Sequence, residues 1–247
     1  MSTRFYRKKF YLVLARYTGL FSNTVFHATS KHEMGDIKKH FGSSVSIKYA
    51  ANLPGNVVEP IFKDSKSKGC IKLVSIARVS PEKNIAFALE VLKGVKGKVE
   101  LNLFGSIYDK KYWENCLDII ESLPENVYVN YQESIEPAKI KETLRSGDFL
   151  ILPSTGENFG HIIFESFAVG TPVIISDQTP WRNLDKEKIG WDIPLSNREK
   201  FIDTIEYVIG MDDSEYSEMS KNAINYAIEF ADNPMAIKLT HDIFELS

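Results

Sequence analysis

The sequence predicts an α/β fold with a parallel sheet that is covered by helices on both faces. From residue 71 onward, short apolar segments alternate with helical ones, which is the pattern of a parallel sheet. Two of the segments, Phe149–Pro153 and Pro172–Ser176, are continuously apolar, as expected for strands buried on both faces. Between the first of them and the next helix lies the polar loop STGENFG. Loops in this position bind the ligands of α/β proteins, so the sequence predicts a binding site there.

The first 50 residues contain too few strands to form a sheet of their own. The expected elements are a helix over 4–20, a strand at Thr24–Ala28, a helix at Lys31–Phe41 and a strand at Val45–Tyr49. They are typical of the end of a domain whose beginning is absent. The segment 51–70 contains prolines, glycines and alternating charges, and is predicted to be a linker to a second domain, 71–247.

The second domain is predicted to hold five strands, each followed by a helical segment. The strands are expected at Ile71–Ala77, Val99–Phe104, Val127–Tyr131, Phe149–Pro153 and Pro172–Ser176. Helices are expected at Asn84–Leu92, Lys110–Ser122 and Pro137–Arg145, and for about ten residues from Gly160. The tail Arg198–Leu246 is predicted to be helical alone, with breaks near Met211–Asp213 and Asp232–Pro234.

Composition argues for a globular protein of the cytoplasm. The net charge of −3 gives no general reason to expect nucleic acid. Cys70 and Cys116 lie in unrelated contexts and suggest no disulfide or metal site. No apolar run approaches the roughly 18–20 residues of a membrane span. The apolar run at the N-terminus, Tyr11–Ala15, is too short for a secretion signal.

The charges are unevenly distributed along the chain. Residues 1–70 carry 12 Lys/Arg against 4 Asp/Glu, whereas the remainder is acidic. Within the predicted helix 4–20, aromatic residues alternate with basic ones. This pattern fits a helix docked on its own protein with a solvated basic face. It also fits peripheral contact with an anionic membrane surface, at the inner face of the membrane.

Several familiar sites are excluded by their missing motifs. No G-x-x-x-x-G-K-[ST] and no G-x-G-x-x-G after a strand is present, which counts against P-loop ATPases and common dehydrogenases. HExxH, CxxC and G-x-S-x-G are also absent. What remains is a set of loops that share the carboxyl edge of the sheet: ARVSPEKN, FGSIYD, QESIEP and STGENFG.

These loops suit a nucleotide diphosphate. Unpaired amides at the helix start Phe159-Gly160-His161 favour an anion, and Arg78 and Lys83 add two cations from a neighbouring loop. Glu165 would accept two hydrogen bonds from a ribose diol. The alternative for Arg78 and Lys83 is surface salt bridging. The alternative for His161 is a helix-end histidine without chemistry.

The spacing of glutamates adds nothing to this argument. Glu-x₇-Glu occurs three times, at Glu82/Glu90, Glu125/Glu133 and Glu157/Glu165. The first two pairs are typical of exposed surface charges. Only the third pair spans a strand-to-helix loop with Phe-Gly inside it.

Two blocks of the sequence resemble a known family. IARVSPEKN followed by LPSTGENFGHIIFESFAVGTPVI is similar to the C-terminal lobe of group 1 (family 4) retaining glycosyltransferases with the GT-B fold. The resemblance covers residues 71 to about 231, and 22–62 resemble the segment preceding that lobe. It implies a Rossmann-like donor-binding lobe preceded by a remnant of the N-terminal lobe.

The resemblance also assigns roles to residues. In the family, the basic pair that matches Arg78 and Lys83 contacts the donor diphosphate. The glutamate that matches Glu157 lies beside the donor sugar, and the one that matches Glu165 holds the ribose. A loop that matches 132–134 borders the base. The implied catalytic residues are Glu157, Arg78 and Lys83, and the implied donor-binding residues are Arg78, Lys83, Asn158, Phe159, Gly160 and Glu165.

The implied activity is transfer of a sugar from a nucleotide-diphosphate sugar to the hydroxyl of a glycan or lipid-linked acceptor, with retention and without a metal or other cofactor. The expected setting is the biosynthesis of a polysaccharide or another surface glycan, by a cytoplasmic protein. The resemblance further implies a missing N-terminal lobe, and hence little activity of this chain alone. Three origins stay open: another chain supplies the lobe, the gene is truncated, or the lobe was removed from a longer chain. Two alternatives stay open: an inactive nucleotide-binding or assembly subunit, and a GT-B phosphorylase or epimerase.

Overall fold

The computed structural model describes residues 3–21, 23–29, 31–50 and 66–232. It divides into two compact units, whose described residues lie within 3–50 and 66–232 respectively. No helix in the described ranges is long and apolar enough to cross a membrane. Most of the predicted linker, 51–65, lies outside these ranges, and the predicted domain boundaries stay a prediction.

The first unit holds the four elements that the sequence predicts. They are helix α1 (Thr3–Tyr17), strand β1 (Val25–Ala28), helix α2 (Lys31–Phe41) and strand β2 (Ser46–Tyr49). β1 and β2 pair in parallel along their whole length. Phe21, Phe26 and Phe41 pack with ring centroids 4.8–5.9 Å apart. α1 ends three residues earlier than predicted, and Gly19 just beyond it adopts a left-handed conformation (φ 67°) that stops a helix.

The second unit is built on a six-stranded sheet in which every neighbouring pair is parallel. Its strands are β3 (Cys70–Ile76), β4 (Lys98–Phe104), β5 (Val127–Gln132), β6 (Phe149–Leu152), β7 (Val173–Ser176) and β8 (Gly190–Ile193). Their order across the sheet is β5-β4-β3-β6-β7-β8. The chain therefore builds outward from β3 in one direction and then returns to place β6 on the other side. The crevice at the carboxyl ends of β3 and β6 is the point at which such sheets bind ligands.

Helices cover both faces of this sheet, which confirms the predicted fold class. They are α3 (Ile85–Leu92), α4 (Lys110–Glu121), α5 (Ile140–Ser146), α6 (His161–Ala168), α7 (Arg198–Gly210) and α8 (Asp213–Ala231). Adjacent strand residues point to opposite faces, so Leu73 belongs to the core that includes α3, α4 and α7 residues, and Val74 to the core under α5 and α6. The helix α8 contributes to both cores, through Tyr216 at one end and Ala227 at the other.

The sequence analysis missed one strand, β8. Its sequence GWDI combines a glycine and a charged residue with two apolar ones, so it has neither the continuous apolar run nor the strict alternation that identifies a strand. β8 pairs with β7 from Val173↔Gly190 to Ser176↔Ile193 and occupies the sheet edge. Gly190 adopts φ 147°, and a Cβ there would lie 2.1 Å from the Val173 carbonyl oxygen. The glycine is therefore required by the close approach of the two strands.

Several element ends also differ from the prediction. Proline begins a short 3₁₀ turn at Pro81–Lys83 and another at Pro137–Lys139, so α3 and α5 start after these turns. The strand β6 ends at Leu152 because Pro153 has no amide to donate to the sheet. The helix predicted from Gly160 has eight residues, with left-handed glycines at Gly160 and Gly170 beyond its two ends. The break at 211–213 is confirmed by the start of α8, while residues beyond 232 lie outside the described ranges.

Candidate functional site

The loops at the carboxyl edge of the sheet are joined to one another by hydrogen bonds. The loops after β3, β4, β6 and β7 are each bonded to a neighbouring loop, and the loop after β4 is also bonded to the last residue of β5, so that they form one continuous rim. The donor amides and acceptor carbonyls are Val79 to Ser106 (2.9 Å), Gly105 to Gln132 (3.3 Å), Thr155 to Glu82 (2.9 Å) and Glu157 to Gln178 (3.0 Å). A ligand at this edge would therefore meet a preformed surface, since these bonds hold the loops to one another.

An ion pair between Lys83 and Glu157 joins the loops on the two sides of the crevice. The Lys83 Nζ donates to the Glu157 Oε1, and the two side chains are 21% and 11% exposed. Both residues were singled out from the sequence, and the structure brings them into direct contact. Lys83 does form a salt bridge, as the alternative reading proposed, but the bridge is largely buried in the crevice and its partner is another candidate site residue.

Arg78 is exposed at the same edge, and its guanidinium group lies over an aromatic ring. The guanidinium carbon lies 5.0 Å from the centroid of the Tyr108 ring. Within 66–232, no carboxylate lies at ion-pair distance from Arg78, so its charge is available to a ligand. The sequence analysis included FGSIYD among the edge loops but did not single out Tyr108. The sequence feature that could have identified Tyr108 is an aromatic residue in the loop after β4, which neighbours the loop that holds the cation Arg78.

The start of α6 is open to an anion. Gly160 precedes the helix with φ 75°, and no side chain of the described residues caps the first turn. Among the described residues, the amides of Phe159, Gly160 and His161 have no hydrogen-bond acceptor. Free amides at the positive end of the helix dipole favour a phosphate or another anion.

The chain just before α6 is fixed by the aromatic core. The Phe159 side chain is buried, and its carbonyl oxygen accepts a hydrogen bond from the Trp181 indole nitrogen at 2.5 Å. Phe159 can therefore offer its backbone amide to a ligand but not its ring. Asn158 is exposed beside it. Trp181 was missed in the sequence because it lies in the loop after β7, for which no role was predicted.

Glu165, one turn into α6, is half-buried and lacks a hydrogen-bond donor within the described residues. Burial raises the pKa of its carboxyl above the ordinary value of 4.5, while the charges of His161 and Lys141 oppose the rise. A carboxylate that loses solvent without gaining a donor is costly, and hydroxyl groups of a ligand would supply the missing bonds. His161 is exposed and its ring packs 4.7 Å from that of Phe159.

Of the other repeated glutamates, Glu90 and Glu125 lie away from the carboxyl edge, whereas Glu82 and Glu133 lie in the loops after β3 and β5. Glu90 forms a surface ion pair with Lys93 at 2.8 Å, and Glu125 and Glu133 are exposed. The part of the chain that the structure describes has no group of three or more His, Cys, Asp or Glu side chains that could hold a metal.

Comparison with known proteins identifies one family over most of the chain. The family model described as glycosyl transferases group 1 matches residues 58–229. An alpha-monoglucosyldiacylglycerol synthase of Streptococcus pneumoniae (strain ATCC BAA-255 / R6) is 34% identical over 122 residues, which are 47% of this chain and 26% of that protein. The alpha-1,3/1,6-mannosyltransferase ALG2 of Yarrowia lipolytica (strain CLIB 122 / E 150) is 22% identical over 210 residues, 70% of this chain and 45% of that protein. The chain thus spans less than half the length of either relative.

Solved structures with the same fold include Anabaena Alr3699/HepE in complex with UDP and glucose. It superposes with a TM-score of 0.73 at 17% identity, over 96% of this chain and 66% of that one. A mutant of S. aureus TarM in complex with Fondaparinux, alpha-GlcNAc-glycerol and UDP gives a TM-score of 0.70 at 18% identity, over 88% and 43%. At these identities the likeness concerns the fold.

The Glu165→Gln variant is expected to gain stability relative to the wild type as pH rises above 4.5. Because burial holds the pKa of Glu165 above its unfolded value, the folded state binds more protons between the two pKa values. The free energy of unfolding of the wild type therefore falls as pH rises through this window, whereas glutamine has no proton to lose. Urea unfolding between about pH 4 and 7 measures the difference, with the exposed Glu125→Gln as control. A difference that does not change with pH would contradict this account.

Proposed function

Because the chain belongs to the group 1 glycosyltransferase family, we propose that it binds a nucleotide-diphosphate sugar at the carboxyl edge of the sheet. The sugar is transferred to an acceptor hydroxyl with retention of the anomeric configuration. The observation that carries the proposal is the half-buried Glu165 carboxylate, which follows the open amides of α6 and has no hydrogen-bond donor in the described part of the chain. A ribose diol beside a diphosphate would satisfy both features at once.

The chemical task of such a site is to stabilise changing charge. The bond between the anomeric carbon and the phosphate oxygen breaks with its electron pair going to the diphosphate, and the acceptor oxygen bonds to the carbon and releases its proton. Negative charge grows on the diphosphate, where Arg78, Lys83 and the amides at the start of α6 would stabilise it. Positive charge grows on the sugar, which Glu157 would orient and support. We assign the charge stabilisation to these groups and propose that no metal is required.

The relatives suggest which donor and acceptor to test first. The two solved neighbours contain UDP, and one of them also contains glucose, so a uridine diphosphate sugar is the donor we propose. The S. pneumoniae relative is named for a glucosylated diacylglycerol, which supports a lipid-linked or glycan acceptor and a place in cell-surface glycan synthesis.

The Glu165→Ala variant is expected to bind UDP at least roughly tenfold more weakly than the wild type, because hydrogen bonds to a charged group contribute about 1.5–3 kcal/mol. Titration calorimetry measures the affinities, and the exposed Glu125→Ala is the matched control. Equal affinities of the wild type and Glu165→Ala would remove the ribose assignment. Absence of UDP, GDP and ADP binding by the wild type would contradict the proposed function.

Transfer by residues 1–247 alone is expected to be slow or undetectable, because the chain spans 45% or less of the length of its curated relatives. Incubation of labelled UDP-glucose with diacylglycerol and glycan acceptors, with and without EDTA, measures product formation. Any transfer is expected to be insensitive to EDTA. Robust turnover would show that no further lobe is needed, and loss of turnover with EDTA would overturn the metal-free proposal.

The second candidate function that we propose is a nucleotide-binding subunit of a larger assembly, in which a partner chain supplies the acceptor-binding lobe. UDP binding without transfer, followed by transfer when such a partner is added, would favour this candidate.

The helix α1 supports a peripheral contact with the cytoplasmic face of a membrane. Phe10, Val13, Leu14 and Tyr17 are spaced as one helix face, and all are exposed in the described unit, Phe10 at 71% and Tyr17 at 85%. The basic composition of residues 1–70 matches the negative charge of anionic lipid.

The Phe10→Ser/Tyr17→Ser double variant is expected to lose most of its binding to anionic vesicles, because both apolar anchors are removed. Flotation with phosphatidylglycerol vesicles, and with phosphatidylcholine vesicles as control, measures the bound fraction at low and high salt. Absence of salt-sensitive binding by the wild type would remove the membrane proposal.

A further inference from the structure

Within the described ranges, the hydrogen bonds to the Glu157 carboxylate all go to one of its two oxygens. The Lys83 Nζ and the Ser154 Oγ both donate to Oε1, the latter at 2.9 Å. The Glu157 amide donates to the Gln178 carbonyl at 3.0 Å, which fixes the backbone. Among the described residues, Oε2 accepts no hydrogen bond. The side chain is thus oriented, with one oxygen left for a ligand.

Two buried hydroxyl groups lie behind this carboxylate. Ser154 and Ser176 are both 0% exposed, although one follows β6 and the other is the last residue of β7. Ser176 Oγ donates to the Ser154 carbonyl and accepts a hydrogen bond from the Gln178 amide at 3.3 Å. Together with the bond from Glu157 to Gln178, these contacts close a ring that ties the two loops together.

Each of the two hydroxyl groups in this ring donates its single proton to a hydrogen bond. The proton of Ser176 goes to the backbone, whereas the proton of Ser154 goes to the candidate site carboxylate. A buried hydroxyl is costly unless it is bonded, and a small apolar residue would fill the position of Ser154 without that cost. The bond to Glu157 is therefore the feature that only a hydroxyl at position 154 supplies.

We propose that Ser154, supported by Ser176, is a positioning residue that presents Glu157 Oε2 to a hydroxyl of the donor sugar. The inference rests on the proposed function and adds a role that the sequence motifs do not assign. Lys83 is the partner of Oε1 that would also contact the donor diphosphate, since a lysine side chain is long and flexible. The short, buried Ser154 keeps its hold on Oε1 when Lys83 contacts phosphate. Its contribution is therefore to sugar recognition rather than to nucleotide recognition.

The test compares the affinities for UDP and UDP-glucose by titration calorimetry. In Ser154→Ala, the gain in affinity from UDP to UDP-glucose is expected to fall roughly fivefold, while UDP affinity stays within about twofold of the wild type. Ser154→Thr keeps the hydroxyl and is expected to restore the gain. Ser166→Ala is the matched control, because Ser166 is a fully buried serine whose hydroxyl donates to the Thr171 carbonyl at 2.6 Å. An unchanged gain in Ser154→Ala, or an equal loss in Ser166→Ala, would overturn the proposal.

A second measurement separates this proposal from the proposed function. Ser154→Ala is expected to lower the urea midpoint less in a Glu157→Ala background than in the wild type, because the bonded partner is already gone. Additive midpoint shifts would contradict the contact whether or not nucleotide binds. Failure of the wild type to bind any nucleotide, together with non-additive shifts, would remove the proposed function and the role toward sugar, and would leave Ser154 as the residue that holds Glu157.

Discussion

The pairing of β3 with β6 is the constraint on which the site depends. These strands are separated by more than 70 residues in the sequence, yet Leu73 pairs with Phe149 and Val74 with Leu150. The register brings the loop after β3 against the loop after β6, and only then can Lys83 reach Glu157. From this contact, loop-to-loop hydrogen bonds extend to β4 and β5 on one side and to β7 on the other.

The two glutamates of the site occupy different environments, and the difference explains why they would have different roles. Glu157 is held through one oxygen by a cation and a hydroxyl. Glu165 has no donor among the described residues, and burial raises its pKa. A largely buried ion pair adds little net stability unless its geometry is good, because the desolvation penalty offsets the Coulomb attraction. The arrangement at Glu157 therefore favours orientation, whereas the arrangement at Glu165 gives up stability that a ligand can restore.

The sequence predicted the elements whose local pattern is strong. The apolar segments of β3, β4, β6 and β7 and the helix start near Gly160 were readable because their residue types are typical of buried strands and of a helix N-terminus. β8 was not readable, since its pattern is set by pairing with β7 at the sheet edge. The strand order could not be predicted from the sequence either. The Lys83–Glu157 contact and the packing of Arg78 on the Tyr108 ring depend on that order, so they could not be predicted. Ser154 lies in the predicted loop, but its importance depends on which way its hydroxyl points.

The central claim is that a nucleoside diphosphate binds at the carboxyl edge, where β3 and β6 meet. Titration of UDP into isotope-labelled protein, followed by amide NMR, tests it most directly. The account predicts the largest shift changes at Phe159, Gly160 and His161, with smaller ones in the loop that holds Arg78 and Lys83. Shift changes centred on the opposite, amino ends of the strands, or no change at saturating UDP, would contradict it.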